Sequence, residues 1–150
     1  MPQSYTCLQY HLVFSTKYRA PAITTDIRPR LWEYLGGTVR GLRGIPIQVG
    51  GTEDHVHLLV TFRQDAALSD VLRQLKAASS RWVHDTFPAA RGFAWQAGYG
   101  AFTVSHSAVG AVKAYILNQE EHHKAQSFQD EFRALLVRHG IEFDEQYLWD

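Results

Sequence analysis

The chain has 150 residues, of which 45% are hydrophobic, 13% aromatic and 20% charged, enough for one domain with its own core. Fifteen Lys and Arg balance fifteen Asp and Glu, but residues 1–113 hold twelve bases against seven acids and residues 114–150 three against eight. The neutral total therefore hides a basic body and an acidic end, and it does not exclude a nucleic-acid partner. No apolar run approaches the ~18 residues of a membrane span, no signal-peptide pattern opens the chain, and the single cysteine, Cys7, leaves no internal disulfide. A cytoplasmic protein with no membrane partner is expected.

Residues 5–16, YTCLQYHLVFST, are rich in β-branched and aromatic side chains and read as a strand. Thr25 or Asp26 caps a helix running to about Gly41, with Pro29 in its first turn and Ile27, Leu31, Leu35 and Val39 near helical spacing. Residues 45–51 form a short strand, and Thr52-Glu53-Asp54 turns into the strand HVHLLVTF, residues 55–62. A second helix runs from Ser69 or Asp70 to about Asp85, burying Val71, Leu72, Leu75, Ala78 and Trp82. Residues 93–104 read as one long strand bent near Gly98 and Gly100. Helical spacing resumes over 107–124 and again over 128–139, and Phe143, Tyr147 and Trp149 are placed to pack back on the body. The order is β-α-β-β-α-β with two further helices. It predicts an α+β, ferredoxin-like (RRM-like) antiparallel sheet with helices on one face and the other face open.

The open face carries the chemistry. Along residues 55–62, alternation sends Val56, Leu58, Val60 and Phe62 to the core side and His55, His57, Leu59 and Thr61 to the other. Two imidazoles two residues apart on a strand can converge on one metal ion, although the same pair also suits a solvated sheet face. The preceding Glu53-Asp54 suits a turn better than a ligand pair. On the helix after the last strand, Tyr115 and Gln119 are i,i+4 and share a face. A tyrosine can be a covalent nucleophile and a glutamine oxygen can complete a hard-metal site, while both residues also fit ordinary packing.

The stretches YHLVFSTKYR (residues 10–19), GGTEDHVHLLV (50–60), LKAASSRW (75–82), FTVS (102–105) and YILNQEEHH (115–123) together resemble the single-tyrosine transposases of the insertion-sequence-200-like HUH nucleases. The resemblance spans nearly the whole chain and implies one transposase domain over residues 1–150, with 127–150 as a C-terminal extension. It implies a divalent ion, Mg or Mn, held by His55, His57 and Gln119. It also implies attack by Tyr115 on hairpin-bearing single-stranded DNA, a 5′-phosphotyrosine intermediate, and no nucleotide cofactor. Finally, it implies a homodimer in which one subunit's tyrosine helix completes the other's site. Gly110 permits such a hinge, and a cis arrangement fits the residues equally.

Lys17, Arg19, Arg73, Lys76 and Arg81 are the cations expected on DNA, Arg73 and Lys76 lying on one polar stripe of the second helix. Tyr18, Trp95 and Tyr99 offer rings for base stacking. The acidic C-terminal helix, with its stripe of Phe128, Phe132, Leu135 and Leu136, is expected away from DNA. Glu120 and Glu121 are placed to hold the tyrosine helix to the basic body by charge. Three rivals use overlapping features: a domesticated repeat-processing relative, a non-catalytic single-strand-binding module, and a zinc hydrolase, which leaves Tyr115 without a task. No G-x-S-x-G, G-K-[ST] or paired C-x-x-C is present, against serine hydrolases, P-loop enzymes and zinc fingers.

Overall fold

The structure is a computed structural model and describes residues 3–150. Strands β1 (Gln9–Ser15), β2 (Ile45–Gly51), β3 (His55–Thr61) and β4 (Gly100–Thr103) form one antiparallel sheet in the order β2-β3-β1-β4. Helix α1 (Arg28–Gly41) links β1 to β2, and α2 (Leu68–Thr86) links β3 to β4. The expected α+β architecture is therefore present. Alternation along the two central strands drives Leu12, Phe14, Val56, Leu58 and Val60 into one core with Leu31, Leu35 and Val39 of α1 and Leu72, Leu75 and Val83 of α2.

Two elements are shorter than their sequence pattern. The strand expected over 93–104 pairs regularly only at Gly100–Thr103, with one isolated bridge between Thr16 and Trp95. Before it, the chain is held by side chains instead: Gln96 Oε1 accepts from the Ser15 amide at 2.8 Å, and Lys76 Nζ donates to the Gln96, Ala97 and Gly98 carbonyls at 3.0, 3.1 and 2.6 Å. The helix expected over 107–124 breaks at Asn118 (φ −97°, ψ 19°) into α3 (Val109–Leu117) and α4 (Gln119–His122).

The larger departure is on the face expected to be open. Helix α3 and the C-terminal helix α5 (Phe128–Arg138) cover it. Two glycines permit this close approach. A Cβ on Gly50 of β2 would stand 2.6 Å from the Ile116 carbonyl of α3, and one on Gly100 of β4 would stand 2.8 Å from the Phe132 ring of α5. The stripe of Phe128, Phe132, Leu135 and Leu136 packs on Val13 and Phe102 as a second core. Of the aromatic tail, Trp149 packs against Phe128 and Phe132, with ring centroids 6.5 and 6.1 Å away, while Phe143 and Tyr147 stay exposed. Arg28 pairs with Glu120 at 2.7 Å, tying the segment after α3 to α1, whereas Glu121 pairs with nearby Lys124.

Candidate active site

His55 and His57 point from β3 toward α3 and α5 and are fully buried. Each imidazole is oriented through its Nδ1. His55 Nδ1 donates to Asp54 Oδ1 at 2.8 Å, with Thr52 Oγ1 at 3.0 Å, so the acidic turn residue is neither idle nor a metal ligand: it aims Nε2 inward. Burial opposes ionisation of Asp54, but the bonds from His55 and Thr52 together with the nearby histidines outweigh it and keep the carboxyl below its usual value. His57 Nδ1 meets His11 Nε2 at 2.7 Å. His11 lies on the same sheet face as Val13 and Ser15. The alternation of β1 carries that signal, with Leu12 and Phe14 in the opposite core, but no local motif marks His11 as part of the site.

At the centre stands Glu131 of α5, 2% exposed. Its Oε1 lies 3.0 Å from His57 Nε2, 3.0 Å from His123 Nε2 and 3.4 Å from His55 Nε2. Its Oε2 accepts from the Tyr115 hydroxyl and, at 3.0 Å, from Gln119 Nε2. The acidic C-terminal helix delivers this carboxylate to the middle of the predicted site. The signal was present: Glu131 falls within the 128, 132, 135, 136 stripe, and an ionisable residue on a buried helix face needs partners. Four elements thus converge, β3, α3, α4 and α5, and Tyr115, His55, His57 and Gln119 are brought together as expected. The Tyr115 ring centroid is 5.7 Å from that of His57.

Charge in this cluster follows from burial and hydrogen bonding. Burial pulls His57 down to about 4 against the opposing pull of Glu131, and burial with the neighbouring His57 pulls His11 down to about 3. Burial would raise the Glu131 carboxyl, but hydrogen bonds from His123 and His57 overcome it and hold the group well below the carboxylate range. Burial opposes the charge on His123, but its bond to Glu131 together with the Glu131 and Asp54 charges and the Gln126 backbone moves it upward. Burial and then the Glu131 charge push the Tyr115 hydroxyl well above its ordinary value. The resting cluster is therefore an ionised Glu131 accepting from its neighbours, with Tyr115 protonated.

The donor set fits a cation. Because His55 Nδ1 donates to Asp54, its Nε2 faces two oxygen acceptors, Gln119 Oε1 at 2.9 Å and Glu131 Oε1 at 3.4 Å. A lone pair facing oxygen atoms suits a metal ion held between them. Among the described residues, His55, His57, His123 and Glu131 offer ligand atoms that all lie within 4.8 Å of one another.

Residues 4–119 match the family model described as Transposase IS200 like. The chain belongs to the IS200-like transposase family. Membership carries DNA cleavage and strand transfer, and dependence on a metal. The ISDra2 transposase TnpA of Deinococcus radiodurans is 30% identical over 121 residues, covering 76% of this chain and 85% of that protein. A crystal structure from Deinococcus radiodurans R1 assigned as a transposase superposes with TM-score 0.64 at 27% identity, covering 79% of this chain and 96% of that one. A REP-associated tyrosine transposase bound to a REP hairpin shares the fold, with TM-score 0.59 and 14% identity over 82% of this chain and 73% of that one. The family match of this transposase ends at Gln119, so α5 and Glu131 lie beyond it.

The expected DNA contacts are dispersed. Arg73 is exposed with only a 3.4 Å contact to Asp70, and Arg81 and Lys17 are exposed. Arg19 is half-buried, its guanidinium 5.3 Å from the Trp149 ring centroid. Lys76, by contrast, spends its ammonium on the three carbonyls of the 96–98 loop, and burial lowers it to about 8. Tyr18 and Tyr99 are exposed, but Trp95 is buried and donates to Ser79 Oγ at 2.9 Å. A cavity of about 370 Å³ opens beside Tyr115, with His11, Arg138 and His139 in its lining.

Proposed function

We propose that this transposase cuts and rejoins single-stranded DNA through a covalent 5′-phosphotyrosine on Tyr115. The observation that carries the reading is the convergence of the Tyr115 hydroxyl with His55, His57 and Gln119 around one buried carboxylate. His55, His57 and Gln119 would hold a divalent ion, Mg or Mn. When bound, such an ion supplies Lewis-acid polarisation of a phosphodiester oxygen. The chain's own residues do the rest. The Tyr115 oxygen attacks phosphorus, the bond to the 3′-oxygen breaks, and the Tyr115 proton, held in the resting site by its hydrogen bond to Glu131 Oε2, ends on the leaving 3′-oxygen. Rejoining reverses these steps with another strand and needs no nucleotide cofactor, because the phosphotyrosine keeps the bond energy.

The cavity beside Tyr115 gives the scissile strand an approach, with Arg138 at its wall. Lys17, Arg19, Arg73 and Arg81 would neutralise phosphates. Lys76 would contribute by fixing the 96–98 loop, or directly where a phosphate replaces those carbonyls. Hairpin recognition is proposed on the strength of the solved relative bound to a hairpin. Tyr115 reaches the histidines of its own chain, so a homodimer with shared sites would require α3 to swing about Gly110. Mixing Tyr115→Phe with His57→Ala subunits tests that sharing: restored cleavage means trans sites, and none means cis.

The main test is a denaturant-stable adduct. Wild-type protein, a hairpin-bearing single strand and Mg or Mn should yield one, and Tyr115→Phe should lose it by at least about 10³-fold while still binding the strand. Tight binding without any wild-type adduct would leave a single-strand-binding module in place of the enzyme.

A further inference from the structure

Within the reading of His55 and His57 as metal ligands, the structure raises a question the family motif does not answer. A carboxylate from outside the family match, Glu131, borders the same space as those ligands. Its Oε1 stands 3.0, 3.0 and 3.4 Å from the Nε2 atoms of His57, His123 and His55. A tetrahedral ion with ligand bonds of about 2.1 Å has ligand–ligand edges of about 3.4 Å, so these separations are close to those of atoms sharing one cation.

Placement supports the same conclusion. His123 Nε2 reaches Oε1 from the turn after α4, and Phe128 stacks on the His55 ring with centroids 4.4 Å apart, fixing the start of α5 over the site. Phe132, Leu135 and Leu136 anchor the rest of α5 in the second core, so Glu131 is held on a packed helix. Gln119 divides its amide between the two groups: Oε1 faces His55 while Nε2 holds Glu131 Oε2.

We propose that Glu131 and His123 join His55 and His57 as ligands, with Gln119 holding Glu131 in place of the ion, making this chain's site a three-nitrogen, one-carboxylate centre that prefers a transition-series divalent cation such as Mn²⁺ to Mg²⁺. Imidazole-rich sets favour manganese-to-zinc ions, whereas Mg²⁺ keeps oxygen ligands and several waters. The second carboxylate oxygen stays on the Tyr115 hydroxyl, so one residue couples the cation to the nucleophile.

The experiment is a direct binding measurement on the full chain stripped of metal by chelation. Co²⁺ is followed by its visible d–d absorption, with Zn²⁺ and Mg²⁺ as competitors. Wild type should bind one Co²⁺ per chain, yield it to Zn²⁺, and resist a thousandfold excess of Mg²⁺. Glu131→Gln and His123→Ala should each weaken Co²⁺ at least tenfold and alter the band, with far-UV circular dichroism confirming the fold. Should Glu131→Gln fail to fold, His123→Ala and Glu131→Asp decide, the latter keeping a carboxylate and more of the affinity than the former. Unchanged binding in both Glu131→Gln and His123→Ala, with loss in Gln119→Ala, overturns this ligand set and leaves the two-histidine, one-glutamine site standing. Tighter binding in Glu131→Gln also overturns it, by making Glu131 a competitor for the cation's place. No binding by wild type, or binding indifferent to His55→Ala, removes both.

Discussion

Under α1 and α2 the sheet buries Leu12, Phe14, Val56, Leu58 and Val60 against apolar neighbours, whereas under α3 and α5 the intervening positions bury His11, His55 and His57 against one another, Gln119 and Glu131. The strands are the same, and burial is complete on both sides. The energetics are opposed. Apolar burial is non-directional and stabilises in proportion to area. Polar burial forfeits hydration and is tolerable only when every donor meets an acceptor. The first face therefore holds the fold together, and the second uses that stability to keep charged groups dry and aimed.

Four measurements can break or sharpen this contrast. Leu58→Ala, in the apolar face, should cost about 2–5 kcal/mol in urea unfolding, with the denaturant slope unchanged. A loss below 1 kcal/mol would mean the apolar face is not the main source of stability.

Acid should act through the polar face. His11 and His57 stay neutral in the fold down to about 3 and about 4, while the unfolded chain protonates each near 6.5. The unfolded state then binds more protons below that pH, so stability falls as pH drops from 6.5 toward 4, by up to about 1.4 kcal/mol per pH unit for each histidine. Glu131, held low, adds stability that is present above 4.5 and lost as pH falls further. His123, shifted up, opposes the trend: its contribution is full below 6.5 and fades as pH rises through its elevated value. The metal-free thermal midpoint should fall from pH 7 to pH 4, and a flat profile would show that these histidines titrate as if exposed.

His11→Ala tests the outer support of the site. A cation on His57 Nε2 requires the ring proton on Nδ1, where His11 Nε2 accepts it at the observed 2.7 Å. Removing His11 should weaken cation binding by about 10–100-fold while leaving the apolar face intact. Unchanged affinity would reduce His11 to packing. The smallest effect belongs to Arg28→Ala, which removes the pair with the exposed Glu120. It should cost under about 1 kcal/mol and less at high salt. A larger, salt-insensitive loss would point to the partly buried Arg28 stem and its 3.2 Å bond to the Ile23 carbonyl instead.

Local pattern reached far into this protein. Period-two alternation in residues 55–62 correctly divided the two faces of β3, and i,i+4 spacing put Tyr115 and Gln119 on one side even across the break at Asn118. It overextended the last strand, because residues with strand propensity at 93–99 are held by Lys76 and Gln96 side chains rather than by a ladder. It did not reveal His11 or Glu131 as site residues. Their importance comes from a diagonal contact between neighbouring strands and from the docking of a helix 74 residues away from His57 in the chain.

The neutral total charge, split into a basic body and an acidic end, acquires a location in the fold. One acid of that end, Glu131, lies among histidines of the body, and another, Glu120, pairs with Arg28. Residue order alone determined the strand and helix periods, the two-histidine pair and the tyrosine–glutamine face, because each depends on neighbours a few positions apart. Which carboxylate enters the site, and that the presumed open face is closed, were decided only by tertiary packing. A buried charge takes its partners from wherever the chain folds them within about 3 Å, and no local spacing encodes that distance.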